Sequence, residues 1–229
     1  MVMSMFYSIF NKTRKLFKII IILIIPLFNL TNLFSQQKDT ELWTGTGIDI
    51  PVWDKLSIEP AEQFRFDNGI TKLKSAITDL SLKYKINKYF KVSTTYRLYA
   101  IPDGIPNHAL YLSGYFKYEN KPLELAYRLT YKKKFEEKNQ KQEHIRNKIT
   151  AEFEASDWLK PFIAYELFYR LNYKKGDRFD NYRFYLGCNF KINKDHEIQL
   201  YYMREEEINM KKPKRTDIIG IFYNIDSWF

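Results

Sequence analysis

The sequence predicts an all-β fold, an antiparallel transmembrane β-barrel of about ten strands, with twelve as the alternative. Three observations predict it. From Lys55 onward, stretch after stretch alternates apolar and polar residues with a period of two, the spacing that sends successive side chains to opposite faces of a strand. The connections between these stretches alternate between tight and longer. Aromatic residues make up 17% of the chain while mean hydropathy is −0.46, the balance expected when only alternate residues meet lipid.

At the N-terminus, residues 1–35 read as a secretory signal peptide. Lys12, Arg14, Lys15 and Lys18 make a basic region, and an apolar run follows over Ile19–Leu30, broken at Pro26. Cleavage is expected after Ser35, although Leu33 stands where a small residue is usual. The alternative is a retained anchor, but the run falls short of the ~20 apolar residues needed to span a bilayer. The net charge of +10 belongs in part to this segment. Setting aside its four basic residues leaves 33 against 27 acidic, a balance of +6 over residues 36–229. That balance is no argument for nucleic-acid binding.

Residues 36–54 form an N-terminal segment of uncertain placement. Leu42–Ile50 has strand character, and Pro51 to Asp54 turns the chain. The segment could lie in the periplasm, enter the lumen or enlarge the barrel. The barrel itself is expected over 55–229.

Leu56, Ile58, Phe64 and Phe66 share one face, opposite Glu59, Gln63 and Arg65; Asp67-Asn68-Gly69 then signals a turn. Leu80, Leu82 and Tyr84 oppose Asp79, Lys83 and Lys85. Val92, Tyr96 and Leu98 alternate with Lys91, Ser93 and Arg97. Leu112 and Phe116 oppose Tyr111, Ser113 and Tyr115. Leu125, Tyr127 and Leu129 oppose Glu124 and Arg128. The same alternation continues through Ile145–Glu154, Ile163–Arg170, Tyr182–Lys191 and Glu197–Tyr202. Tight turns fall at 87–88, 120–122, 157–160 and 193–195, and longer loops at 100–107, 133–143, 174–180 and 206–214. That rhythm is the one periplasmic turns and extracellular loops follow, and it gives an even strand count.

The last stretch, Thr216 to Phe229, again alternates, with Ile219, Ile221, Tyr223, Ile225 and Phe229 in step. A final amphipathic strand closing on Phe229 resembles the assembly signal of bacterial outer-membrane barrels, with Tyr223, Ile225 and Phe229 as its expected elements. Gln63-Phe64-Arg65-Phe66, then Leu80–Tyr99 and the further Tyr-Arg-Leu strands, resemble the Bacteroidota family catalogued as domain of unknown function 2490. The resemblance implies an outer-membrane barrel and supplies no catalytic residues. The partners expected are outer-membrane lipid, lipopolysaccharide and, during insertion, the barrel-assembly machinery.

The polar faces carry the candidate chemistry. Arg65, Asp79, Lys83, Arg97, Glu124, Arg128, Arg146, Glu152, Glu166, Arg170 and Arg183 are expected to share the lumen as a charge network. In a narrow barrel opposite charges pair and fill the interior. The network is then either a structural plug or the lining of a narrow conduit or cavity. Basic clusters that include Lys133 and Lys134, Lys174 and Lys175, and Lys211 and Lys212 fall in loops on the outer side. They are either ordinary solvated loops or contacts for lipopolysaccharide phosphates.

An enzyme is not expected. Outer-membrane barrel hydrolases need a His and a Ser in reach of each other. His108, His144 and His196 lack that spacing, and Ser113, five residues past His108, projects to the opposite face. No cofactor and no metal site is expected, since the histidines lie far apart and Cys188 is the only cysteine. A soluble periplasmic ligand-binding barrel and a membrane lipid hydrolase are the alternatives.

Overall fold

The computed structural model describes residues 37–102, 104–135, 142–173, 176, 178–210 and 212–226. The expected signal peptide, Lys174, Lys175, Lys211 and Phe229 lie outside them. The described residues form eleven strands and no helix: β1 (Gln37–Trp53), β2 (Leu56–Asp67), β3 (Lys72–Lys85), β4 (Phe90–Ala100), β5 (Asn107–Asn120), β6 (Leu123–Phe135), β7 (Gln142–Phe153), β8 (Leu159–Leu171), β9 (Arg178–Lys191), β10 (His196–Glu207) and β11 (Lys214–Asp226). They close into one barrel, each strand bonded to its sequence neighbour and β1 bonded to β11.

The count of eleven corrects the expected ten or twelve. The segment left unplaced by its sequence is β1, the longest strand, at 17 residues. Every sequential pair is antiparallel, but β1 meets β11 in parallel, from Gln37↔Lys214 to Asp49↔Asp226. This follows from parity: an odd number of strands that reverse direction at each step leaves the first and last pointing the same way. β1 has the alternation the seam requires. Glu41, Trp43 and Asp49 are buried, while Ile48 and Ile50 are exposed. Gly45 lets it lie close to β2, because a Cβ there would stand 2.3 Å from the Glu62 carbonyl oxygen. The β1–β2 ladder skips the positions opposite Glu59 and Pro60, where proline has no N–H to give.

Short connections (54–55, 86–89, 121–122, 154–158, 192–195) gather at one end, here the turn end. Longer ones (101–106, 136–141, 172–177, 208–213) gather with 68–71 at the other, the loop end. The strands run further into the loops than the sequence suggests. Lys133, Lys134 and Glu143 belong to β6 and β7, and Asp180 to β9.

Polarity is inverted relative to a water-soluble domain. Leu80, Leu112, Ile149, Ile163 and Ile221 are exposed around the outer wall, Ile149 to 59%. Trp53, Trp158, Tyr84 and Tyr118 mark the turn end of that wall, and Phe64, Phe135 and Phe179 the loop end. Ser57, Ser81, Ser113, Thr130 and Glu166 are buried inside. Polar groups interrupt the outer wall near the loop end, among them Arg204, which meets Asp217 at 3.0 Å, and Tyr182, which donates to Glu206 at 2.5 Å.

The interior is not wholly polar. Trp43, Phe162, Ala164, Tyr185, Met203 and Ile218 pack together inside, with Tyr201 and Phe222 against them. Tyr201 and Phe222 stack at 5.9 Å with planes 7° apart. Gly220 makes room for them, since a Cβ there would stand 2.1 Å from the Tyr201 ring.

Candidate functional site

The lumen is the candidate site, and strand register builds it. Asp79 and Arg97 are direct partners across β3 and β4. The guanidinium grips the carboxylate with two bonds of 2.6 Å each, the bidentate geometry that makes such pairs strong. Nearer the turn end, Lys83 reaches Glu59 at 2.7 Å and Asp49 at 3.0 Å, tying β3 to β2 and β1.

Glu166 on β8 is the hub of the opposite wall and has no solvent exposure. Its Oε1 accepts from Arg146 Nε at 3.1 Å and Nη2 at 2.8 Å, and from Arg128 Nη2 at 3.0 Å. Its Oε2 accepts from the Tyr185 hydroxyl at 2.9 Å, with Arg183 Nη1 at 3.8 Å. Arg183 also donates at 2.5 Å to Glu205, its partner across β9 and β10.

Rings pack against the cations. Trp43 has the Arg65 guanidinium at 3.7 Å from its centroid and Arg183 at 5.2 Å. Its indole N–H donates to Glu41 at 2.8 Å. Phe168 has the Arg146 guanidinium at 4.7 Å and Arg183 at 4.9 Å from its centroid. Arg97 lies 5.0 Å from the Tyr111 ring, and the Tyr99 and Tyr111 hydroxyls are 2.6 Å apart. Such contacts contribute about 0.5–2 kcal/mol each, whereas desolvating an ion costs several kcal/mol. Rings alone therefore leave most of that cost to be met by counter-charge.

The eleven expected lumen residues fall into separate groups. Arg97 and Asp79 pair with each other; Arg128, Arg146, Glu166 and Arg183 form the hub; Lys83 stands with Glu59 and Asp49. Arg65 lies on Trp43 and donates to no carboxylate among the described residues; its Nη2 donates to Gln63 at 3.1 Å. Near the turn end Glu124 binds Lys117 at 2.9 Å, and Glu152 binds Lys160 at 3.2 Å and Asn189 at 2.6 Å. Arg170 lies over Tyr173 at the loop end.

The loop-side lysines separate too. Lys133 meets Glu143 at 3.3 Å, and Lys134 lies 5.4 Å from the Tyr99 ring. These two belong to β6 and not to a loop, because pairing with β7 continues to Lys134↔Gln142. Lys212 is exposed between β10 and β11, and Tyr223 and Ile225 lie on β11 paired with Ile198 and His196.

Sequence reasoning gave Leu42–Ile50 strand character without placing it in the barrel, and so missed Glu41, Trp43 and Asp49 as lumen residues; it also missed Glu205 near the end of β10. It also missed the contact of His144 with Asp180 at 3.1 Å. A bulge in β9 makes that contact: Phe168 pairs with Asn181 and Tyr169 with Phe179, so Asp180 is the extra residue and turns inward. Parity alone could have found Glu205, which is in step with Tyr201. Nothing local announces the bulge. The other histidines bond tyrosine hydroxyls on the outer wall, His108 to Tyr96 and His196 to Tyr223, each at 2.5 Å. No group of three or more His, Cys, Asp or Glu placed to hold a metal ion occurs among the described residues.

Two cavities result. One, of about 770 Å³, opens at the turn end; the other, of about 300 Å³, lies deeper from that end, and Glu59, Tyr115 and Arg128 line both.

None of the curated proteins compared with the chain matches it. A family model does, over residues 40–215, from β1 to the start of β11. The chain therefore belongs to the family described as Protein of unknown function (DUF2490).

Proposed function

We propose that the protein is an outer-membrane β-barrel of Bacteroidota, exported with loss of residues 1–35, non-enzymatic, and closed across its middle by its own side chains. The observation that carries this reading is the inverted polarity. An outer wall of exposed Leu, Ile, Tyr and Trp surrounds buried Ser, Thr and Glu. In water that wall would be an apolar surface far larger than a soluble monomer exposes. In a bilayer it meets hydrocarbon, and a closed barrel leaves no backbone edge unpaired there. Every strand has at least the 11 residues of β4, enough for a tilted strand to cross. Aromatic rings at both ends suit the two interfaces.

Between eight strands, where side chains fill a barrel, and sixteen, where a channel opens, eleven strands leave space that Arg, Tyr and Trp can close. The Glu166 hub and the Trp43 and Phe168 contacts support a plugged lumen with a vestibule at the turn end. The role is then structural or that of a narrow, gated passage. Outer-membrane lipid is the expected surrounding, lipopolysaccharide phosphates the expected contact for Lys212 and neighbouring basic loop residues, and the assembly machinery the expected reader of β11.

Fractionation and gel mobility test location. The folded protein should stay with membranes and shift in mobility on boiling; a freely soluble mature chain would overturn the reading. Planar-bilayer recording tests the plug. The wild type should conduct weakly, and Arg97→Ala with Arg128→Ala should raise conductance. Equal conductance of the two would count against occlusion by these charges.

A further inference from the structure

We propose that the deeper cavity is a binding site for a small anionic solute carrying carboxylate or phosphate groups. The inference needs the closed barrel but not the membrane, so it stands or falls separately from the reading above.

The charges around the cavity do not balance. Arg65, Arg97, Arg128, Lys132, Arg146 and Arg183 line it. Asp79 is taken by Arg97, Glu166 by Arg128 and Arg146, and Glu205 by Arg183. Glu59 also lines it, but its carboxylate is held by Lys83. Six cations thus face three available carboxylates among the described residues, a surplus of three. Arg65 and Lys132 have no ion pair among those residues. The Nε groups of Arg65 and Arg128 are buried with no hydrogen-bond partner. A partner for the surplus cations must accept several N–H groups and bring negative charge, which carboxylate and phosphate oxygens do.

The approach has the same sign. Nine Lys and Arg side chains, Lys85, Lys88, Lys91 and Lys148 among them, line the vestibule against five Asp and Glu. Nine cations to five acids in a walled cleft draw anions inward. Size bounds the solute. About 300 Å³ is the room of on the order of ten water molecules, and a surplus of three charges suits a di- or trianion of comparable size. Rings at Trp43, Tyr111 and Phe168 would pack the apolar part of such a molecule.

The test uses the full mature chain refolded in a neutral detergent, with Trp53, Trp158 and Trp228 replaced by Phe so that Trp43 is the reporter. Citrate and inorganic phosphate are the probes, putrescine the cationic control, and sodium chloride at matched ionic strength the screening control. Saturable quenching of Trp43, with matching heat by calorimetry, is expected for at least one anion and for neither control. Arg65→Gln and Lys132→Gln should each weaken that affinity about tenfold, the scale of one charge-assisted hydrogen bond. Arg170→Gln, at the loop end, should leave it within about twofold. Boiling-dependent mobility establishes that each variant has folded. Absence of saturation with both anions, equal response to putrescine, or affinity indifferent to Arg65 and Lys132 would each overturn the proposal.

Discussion

Removing the charge of Glu166 is the sharpest test of how this lumen is held together. Glu166 has no solvent exposure and accepts from Arg146, Arg128 and Tyr185 on three different strands. Glu166→Gln keeps the shape but cancels the only carboxylate that touches Arg128 and Arg146 among the described residues. Each hydrogen bond to a charged group contributes roughly 1.5–3 kcal/mol. The penalty for stranding buried partners is about 3–5 kcal/mol, less than the gross sum because the arginines can re-aim toward water in the cavity. We expect Glu166→Gln to lower stability by about 3–5 kcal/mol. At a slope near 2 kcal/mol per molar, the urea midpoint should fall by about 2 M. The assay is urea unfolding of refolded protein, read by Trp fluorescence and by boiling-dependent mobility. Glu119→Gln is the control: its side chain is 58% exposed and pairs with Lys117, so its effect should be below about 0.5 kcal/mol. A cycle with Arg146→Gln should show coupling of about 1–3 kcal/mol. If Glu166→Gln and Glu119→Gln unfold at the same urea concentration, the hub is not what holds these strands.

The seam can be trapped chemically. With Cys188 replaced by Ser, cysteines at Ile48 and Ile225, partners in the parallel ladder, should cross-link within one chain, while cysteines at Thr40 and Ile225 should not; the reverse result would mean an antiparallel closure. Leu112, outward and half-exposed at mid-strand, should cost about 2–4 kcal/mol as Leu112→Arg in lipid vesicles and reduce the folded fraction, and undiminished insertion would argue that lipid does not touch this wall. Gly220→Val places carbon where the Tyr201 ring lies and should cost about 1–3 kcal/mol, with most of the loss recovered in combination with Tyr201→Ala. Failure of that second change to restore the midpoint would show that the glycine serves the backbone and not the stacked ring.

Strand existence and facing could be read from the chain alone because a period of two is a local property. Leu80, Leu82 and Tyr84 declare their face whatever they pair with, and Asp79 and Lys83 declare the other. The opposition of Asp79 and Arg97 needed only one short connection to set its register. Strand number did not follow, because β1 finds β11 across most of the chain's length and no local code records that pairing. Gly45 and Gly47 weaken its strand signal, and an even count of strands has no place for it.

What the sequence determined by itself was therefore the alternation, the inverted polarity and the alternation of turn and loop. The tertiary structure alone decided the parallel seam, the inward turn of Asp180, the ring packing made possible by Gly220, and the meeting of Arg128, Arg146 and Arg183 at one carboxylate. The physical reason is that each of these depends on how far strands are staggered around a closed barrel, a sum over all eleven registers that no single stretch of residues contains.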